Sequence, residues 1–524
     1  MALTQIQILE PRRLLSAQLV RVTAPLDQDL PVRLVEEFNV SATVVSQMQI
    51  NLAWPAMPGG ESGYTIERAN GSSAFALVAT LPARAMGWSN TGLASKTTYR
   101  YRVRPISSAN ASGSTLPVTT LAYDSGLNAA FQMPTASTGA VRNILSYGAT
   151  SNNSSNDDAT AIKNAIAASS AGDQVYIPNG TFHLKTRDIK LKTGVSIVGQ
   201  SMTGAILVAQ FSDQGTDNPN SRVFRADPGV NNLTLENFRI QMGTGQTMQY
   251  GLYLGSGSSG VSNVSRIAAK NLSIEGFEKF AIAIRNGDNV LVQGCDIKNA
   301  TALGGGGEGY CVMIGYDNSR NNWITGNSFG PTIRHAVVIQ YRAHHNLIEN
   351  NITDGATLDA YDLHGEDEYS NEIRYNIAKN CGGYGIGIGN TGSTHANSGP
   401  LNWLHHNEVF SSRGGANVIL GSDNEIIEDN NFHDNSGDGI LVNNGGGSGL
   451  RILRNTIRFN STGARIEDAP DLWMEGNTIT DNSSYGLRVG ATTVVYTIRG
   501  NDFRFNGSPI LLDSTQGVFV DNLL

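Results

Sequence analysis

From about residue 320 to the end of the chain, an apolar residue followed three positions later by Asn recurs at Ile324/Asn327, Ile348/Asn351, Ile373/Asn376, Leu404/Asn407, Ile427/Asn430, Ile452/Asn455, Met474/Asn477 and Ile498/Asn501. Successive Asn positions lie 24, 25, 31, 23, 25, 22 and 24 residues apart, the signature of a solenoid whose turns stack on one another. Each repeat holds short apolar runs, such as Ala336-Val337-Val338-Ile339 and Gly439-Ile440-Leu441-Val442, set between Gly, Asn, Asp and Ser. That punctuation predicts short strands and tight turns, excludes helical repeats, and makes the chain all-β. An Asn at the same turn of every coil can pass side-chain hydrogen bonds to the next, so the ladder reads as structural. Upstream the pattern continues through Leu235/Phe238, Ile274/Phe277 and Val292/Cys295, with Phe or Cys in the Asn place.

Aligning the repeats sets Cys311–Tyr316, Ala336–Tyr341, Ala360–Gly365 and Gly385–Asn390 side by side, with Ile314, Ile339, Leu363 and Ile388 pointing inward. Alternation along a strand then turns Met313 and Gly315, Val338 and Gln340, Asp362 and His364, Gly387 and Gly389 outward. Just beyond follow Tyr316, Asp317, Tyr341, Arg342, Glu366, Asp367, Glu368 and Asn390. Long spacings from Cys295 to Asn327 and from Asn376 to Asn407 must leave the coil as loops, and loops on one side make a groove. Asp362 and His364, an acid and an imidazole facing the same way, are its expected centre, able to divide acid and base duties.

Ahead of the solenoid the pattern changes. Between about residues 31 and 122, Gln49–Trp54, Gly63–Arg68 and Thr98–Val103 alternate with period two, which argues a half-buried antiparallel sandwich. The Trp54 strand, the Gly-Tyr-x-Ile-x-Arg strand and the Thr-Tyr-x-Tyr-x-Val strand resemble a fibronectin type III domain, which implies a spacer or glycan-binding module. Residues 123–141 have linker composition. Then come Tyr147-Gly148-Ala149, Asn156-Asp157-Asp158, Ala161-Ile162 and Ile177-Pro178-Asn179-Gly180. Asn156 or Asp157 caps a helix whose Ala159, Ile162, Ala165 and Ile166 share a face able to cover the end of the solenoid. The same residues resemble the opening of the pectate-lyase-like superfamily. Over residues 142–524 that resemblance implies a right-handed parallel β-helix acting on polysaccharide.

Composition narrows the function. With 59 Gly in 524 residues, 16% charged residues and a formal charge of −8, the chain is turn-rich and acidic, so nucleic acid is not an expected partner. No apolar run approaches the roughly 20 residues of a transmembrane helix. Cys295, Cys311 and Cys381 are odd in number and at no metal-ligand spacing, and are expected as buried apolar residues. Within residues 1–30, Leu9-Glu10-Pro11-Arg12-Arg13-Leu14-Leu15-Ser16-Ala17 resembles the LEPR-XLL segment of large bacterial surface and secreted proteins, which implies export to the cell surface or medium. The chain closes in a strand, Gly517–Val520, without a capping helix, so a terminal loop, missing material or another protomer is expected to shield the last coil.

The Asp362-Leu363-His364 strand also resembles mannuronan carbon-5 epimerases, which carry Asp-Pro-His at the catalytic coil with a Tyr and a Lys nearby. Here Leu363 replaces the Pro, and the preceding coil offers Gln340, Tyr341 and Arg342 rather than a Lys. The resemblance implies proton abstraction beside a uronate carboxylate, as in a lyase or epimerase acting on an acidic polysaccharide. Such chemistry needs that carboxylate neutralised. Arg342, or a calcium ion held by Asp317, Glu366, Asp367 or Glu368, is expected to do so, with His364 or Tyr341 as base and Gln340, Tyr316, Asn390 and Glu366 against the substrate. Two other readings stand beside it. A glycoside hydrolase would pair carboxylates from Asp359, Asp362 and Glu366, and a surface adhesin would bind glycan without turning it over.

Overall fold

The computed structural model describes residues 36–44, 50–55, 61–71, 73–90, 93, 97–106, 111–115, 117–119, 131–211, 221–389 and 399–524. The expected LEPR-XLL segment and Asn390 lie outside them. The chain divides into two compact units, of which the second takes all of Thr120–Leu524.

In the front unit, Gly63–Asn70 pairs antiparallel with Ala76–Pro82 on one side and Thr98–Pro105 on the other. A second sheet joins Ser41–Val44, Ile50–Ala53 and Gly87–Asn90. The apolar side of the period-two pattern is inside, as read: Leu52, Trp54, Tyr64, Ile66, Tyr101 and Val103 are all buried. The Trp54 and Tyr64 rings meet at 5.4 Å, and the Tyr101 hydroxyl donates to Asn90 Oδ1 at 2.9 Å.

The second unit is a parallel β-helix of three sheets, with 15, 12 and 13 strands. Each coil adds one strand to each sheet, so every strand pairs with its counterparts one coil before and one coil after. A single apolar core runs along the axis and holds Ile324, Ile348, Ile373, Leu404, Ile427, Ile452, Met474 and Ile498, the apolar member of each sequence repeat. Phe238, Phe277 and Cys295, which replace Asn upstream, are buried in it too. Helix α1 (Asp158–Ala168) starts at Asp157, whose side chain accepts from the Ala159 amide, and buries Ala159, Ala161, Ile162, Ala165 and Ile166 against the first coil. Among the described residues no helix is long and apolar enough to cross a membrane.

Asn side chains stitch the coils together, and they do so in three files. Asn327, Asn351, Asn376, Asn407, Asn430, Asn455, Asn477 and Asn501 each donate from Nδ2 to Oδ1 of the Asn one coil on, closing at Asn522, over 2.8–3.0 Å. A second file runs Asn322, Asn346, Asn371 and Asn402 and ends on Glu425 Oε1, 3.1 Å from Asn402 Nδ2. A third runs Asn435, Asn460, Asn482 and Asn506. Each amide also gives its other hydrogen to a backbone carbonyl, as Asn376 does to Ile348 at 2.9 Å, so buried amides are satisfied without water.

Residues 131–140, read from composition as part of a spacer, lie instead along the outer face of the fifteen-stranded sheet. The Phe131 ring meets Trp323 edge-on at 5.8 Å, and the amides of Gln132 and Thr135 donate to Asn289 Oδ1 and Asn232 Oδ1, each at 2.7 Å. Polar composition suits such a strap because its backbone is bonded by side chains rather than by water.

Candidate functional site

Six strands of the thirteen-stranded sheet frame the site: β1 (Tyr310–Gly315), β2 (His335–Gln340), β3 (Tyr361–Leu363), β4 (Tyr384–Ile388), β5 (Gly414–Val418) and β6 (Asp438–Val442). Their register puts Met313, Val338, Asp362, Gly387, Asn417 and Leu441 in one row, and Ile314, Ile339, Leu363, Ile388, Val418 and Val442 in the next. The second row is core and the first is the outer face, as strand alternation requires.

That outer face changes character at β3. On β1 and β2 it is apolar, with Tyr250, Phe280, Tyr310, Met313 and Val338 packed together and buried. From β3 onward it opens into a cleft of about 360 Å³ walled by Asp359, Asp362, His364, Tyr384, Arg413 and Asn417, with Arg334, His335 and Asn443 at its edges. Gly387 supplies the space. A Cβ there would stand 2.6 Å from Asp359 Oδ2 and 3.5 Å from Asp362 Oδ1, so the two carboxylates face each other across one bare backbone position.

Asp362 is 4% exposed and forms the floor. Its Oδ2 accepts from His364 Nδ1 at 2.8 Å. Burial opposes charge on that imidazole, yet the bond and charge of Asp362, reinforced by Glu366 and Glu368, raise its pKa above the ordinary value. Asp362 thus orients the His364 ring, a candidate base from the sequence, and favours its charged form. Asp359 stands in the bend before β3 and accepts from the Tyr384 amide. Burial and the neighbouring Asp362 charge push its pKa up to about 7. His335 is a fixed neutral wall: burial lowers its pKa, Nδ1 lies 2.8 Å from the Asp359 carbonyl oxygen to which it donates, and Tyr310 packs edge-on at 5.0 Å.

Two further features mark the cleft as a place for hydroxyl-rich ligands. Asn417 Oδ1 and Asn443 Oδ1 are buried acceptors with no hydrogen-bond partner among the described residues, a costly state that an incoming donor would relieve. Arg413 stacks over Tyr384 at 5.8 Å and makes no ion pair among the described residues.

Other expected site residues lie elsewhere. Tyr341 and Arg342 leave the strand in left-handed backbone, at φ 52° and 64°, and so turn away from the row that Gln340 and His364 continue. Neither lines the cleft. Arg342 pairs with Asp317 at 3.0 Å and Asp367 at 3.7 Å, and Tyr341 stacks on Tyr316 at 4.8 Å, whose hydroxyl accepts from Arg285. Gln340 is buried beside β3. Glu366 accepts from the Tyr341 amide at 3.1 Å, and burial raises its pKa. Glu368 is fully buried, accepts from the Gly365 and Glu366 amides, and is pushed up to about 8 by burial. The acids proposed for calcium are thus divided between a guanidinium and a backbone turn. Among the described residues no three Asp, Glu, His or Cys are grouped as a metal site.

The right-handed β-helix region family matches residues 259–424 and 396–523, together more than half of the chain. This chain belongs to the right-handed β-helix family. A family described as rhamnogalacturonase A/epimerase, pectate lyase-like, matches residues 141–229, where α1 begins the helix. No protein of curated function matches the sequence. Among solved structures, the catalytic unit of a GH87 alpha-1,3-glucanase from Streptomyces thermodiastaticus shares the fold, with TM-score 0.51, 12% identity, and coverage of 92% of this chain and 95% of that one. The A-module of the mannuronan C-5 epimerase AlgE6 from Azotobacter vinelandii aligns with TM-score 0.47 and 17% identity over 73% of this chain and 98% of its own. As a member of the β-helix family the chain has a known scaffold, and its chemistry must be argued from the cleft.

Proposed function

We propose that the cleft cleaves glycosidic bonds in a polysaccharide by acid–base catalysis between Asp359 and Asp362. The supporting observation is that two carboxylates meet across Gly387 while burial and the neighbouring Asp362 charge push the Asp359 pKa up to about 7. Asp359, with its pKa near 7, keeps a proton at neutral pH and can deliver it to the leaving glycosidic oxygen. Asp362 accepts a hydrogen bond from the His364 ring, which favours its carboxylate form. It then serves the anomeric carbon, directly or through a water. Proton transfer by one such group contributes about 10²- to 10⁴-fold. Asn417 and Asn443 would receive sugar hydroxyls at their unpaired oxygens.

Lyase or epimerase action on a uronate-containing chain is the second reading, favoured by the Asp-x-His strand and by Arg334 and Arg413 on the same cleft, either of which can face a uronate carboxylate. The product decides. Incubation with a panel of acidic and neutral polysaccharides should release reducing ends without ultraviolet absorbance. New ultraviolet absorbance would instead mark an unsaturated sugar and a lyase, while inversion at carbon 5 without shortening would mark an epimerase. On either reading the protein works outside the cell, where polysaccharide is met, in keeping with residues 9–17.

A further inference from the structure

A second hollow, of about 630 Å³ and wide open, lies on the turns between the twelve- and thirteen-stranded sheets. Ser411, Ser412, Asp434, Ser436 and Phe459 line it, and Arg413 belongs to both hollows. The two therefore meet at one guanidinium, which has no carboxylate partner among the described residues.

Phe459 sets this hollow apart. Each coil here turns through one residue in left-handed backbone just before the third Asn file: Asn380, Ser411, Asp434, Phe459, Asp481 and Phe505. Asn, Asp and Ser suit that conformation because they are small and bond locally, whereas a bulky ring does not. Phe459 takes it at φ 56° and stays 50% exposed with Arg458 over its ring at 5.6 Å. Phe505 repeats the arrangement two coils on, so what is particular to Phe459 is its place on the hollow. An exposed aromatic ring that shares a hollow with a guanidinium offers a sugar ring a place to pack.

We infer that this hollow is a binding subsite for a second, anionic sugar unit of the same chain that enters the Asp359–Asp362 cleft. Arg413 pairs with the sugar's carboxylate or sulfate, and Phe459 packs on its ring. The inference rests on the proposed function for the direction of the chain, and it extends the grip on the polymer to a sugar beyond the reacting bond.

Affinity electrophoresis of the full chain through gels containing polygalacturonate, alginate, sulfated galactan or neutral glucan tests it. At least one acidic gel should retard the protein, and Arg413→Gln and Phe459→Asn should each weaken that retardation tenfold or more. Asn is at ease in left-handed backbone, so Phe459→Asn should melt at the same or a higher temperature, which separates lost binding from lost folding. Phe505→Asn relieves the same strain outside the hollow and should leave retardation unchanged. Retardation by neutral glucan alone, by no acidic gel, or undiminished in both hollow variants overturns the inference. Cleavage that survives this outcome leaves the proposed function standing. Hollow-dependent retardation without cleavage of any polymer would instead remove the function and keep the subsite.

Discussion

The same coils carry two clusters of charged side chains on different faces, and only one of them is closed. On the fifteen-stranded sheet, Arg374 reaches Glu349 at 2.8 Å and Glu372 at 2.7 Å, His405 meets Glu372 at 2.8 Å, and the Trp323 indole donates to Glu349 at 2.9 Å. On the thirteen-stranded sheet, Asp362 bonds the His364 imidazole, and Asp359 accepts from the Tyr384 amide with no cation bonded to it among the described residues. Burial is severe in both places, but its result differs. Burial works against both acids of the closed cluster. His405 and Arg374 hold Glu372 below the usual carboxylate range, while at Glu349 burial outweighs Arg374 and raises the pKa. Asp359 is driven up to about 7. The first cluster holds its acids in fixed ion pairs, while Asp359, bonded to no cation among the described residues, keeps a proton it can give away.

The largest effects should separate the two clusters outright. Asp362→Asn and Asp359→Asn should each reduce turnover by about 10²- to 10⁴-fold, the range for losing a catalytic proton carrier. Asp359→Asn should keep its melting temperature, because a neutral amide replaces a carboxyl that already holds a proton. Asp362→Asn removes the partner of His364 and should melt lower, so turnover is compared per folded molecule. Turnover that persists in both variants, measured by reducing-end release, dissolves the distinction. Arg374→Met should do the reverse. Two buried carboxylates lose their cation, at a cost of about 3–5 kcal/mol in denaturant unfolding, while turnover per folded molecule stays within twofold.

A pH profile sharpens the contrast. Because Asp359 must be protonated to act as the acid, kcat/KM should fall about tenfold per unit above pH 7. A flat profile to pH 9 would remove Asp359 from that role. The smallest effect concerns Glu425, a buried acid whose Oε1 accepts from the Asn402 amide while its Oε2 has no partner among the described residues. Burial raises its pKa well above the ordinary value, so the fold prefers it protonated. Its contribution is present in full below the unfolded pKa near 4.5 and is lost as pH climbs toward the folded value. Glu425→Gln should therefore melt higher than the parent at pH 8 and match it at pH 4.

Much of this was legible in the chain itself. The Asn spacing gives the coil, and period-two alternation gives the inward and outward rows, because both are backbone regularities that every coil repeats. The two further Asn files were equally present, five residues before or after the first at Asn322, Asn346, Asn371 and Asn402 and at Asn435, Asn460, Asn482 and Asn506. Following only the apolar-x-x-Asn frame hides them. Asp359 escapes alternation because it precedes Asp362 by three positions, which along a strand would put it on the opposite face. The bend before β3 brings it round. Tyr341 and Arg342 fail for the mirror reason, since left-handed residues end the strand just where the pattern was extended. Arg413, Asn417 and Asn443 come from later coils and have no motif of their own, so only stacking reveals them.

The Asn files have a direction. Every rung gives its hydrogen toward the C-terminal side and accepts from the N-terminal side, so each coil presents its neighbours with the same two faces. A turn of the rod is then a modular part. Removing or duplicating one complete period away from β3–β6 should rejoin the files without an orphaned amide, which lets a lineage shorten or lengthen the polymer track while the reacting centre stays untouched.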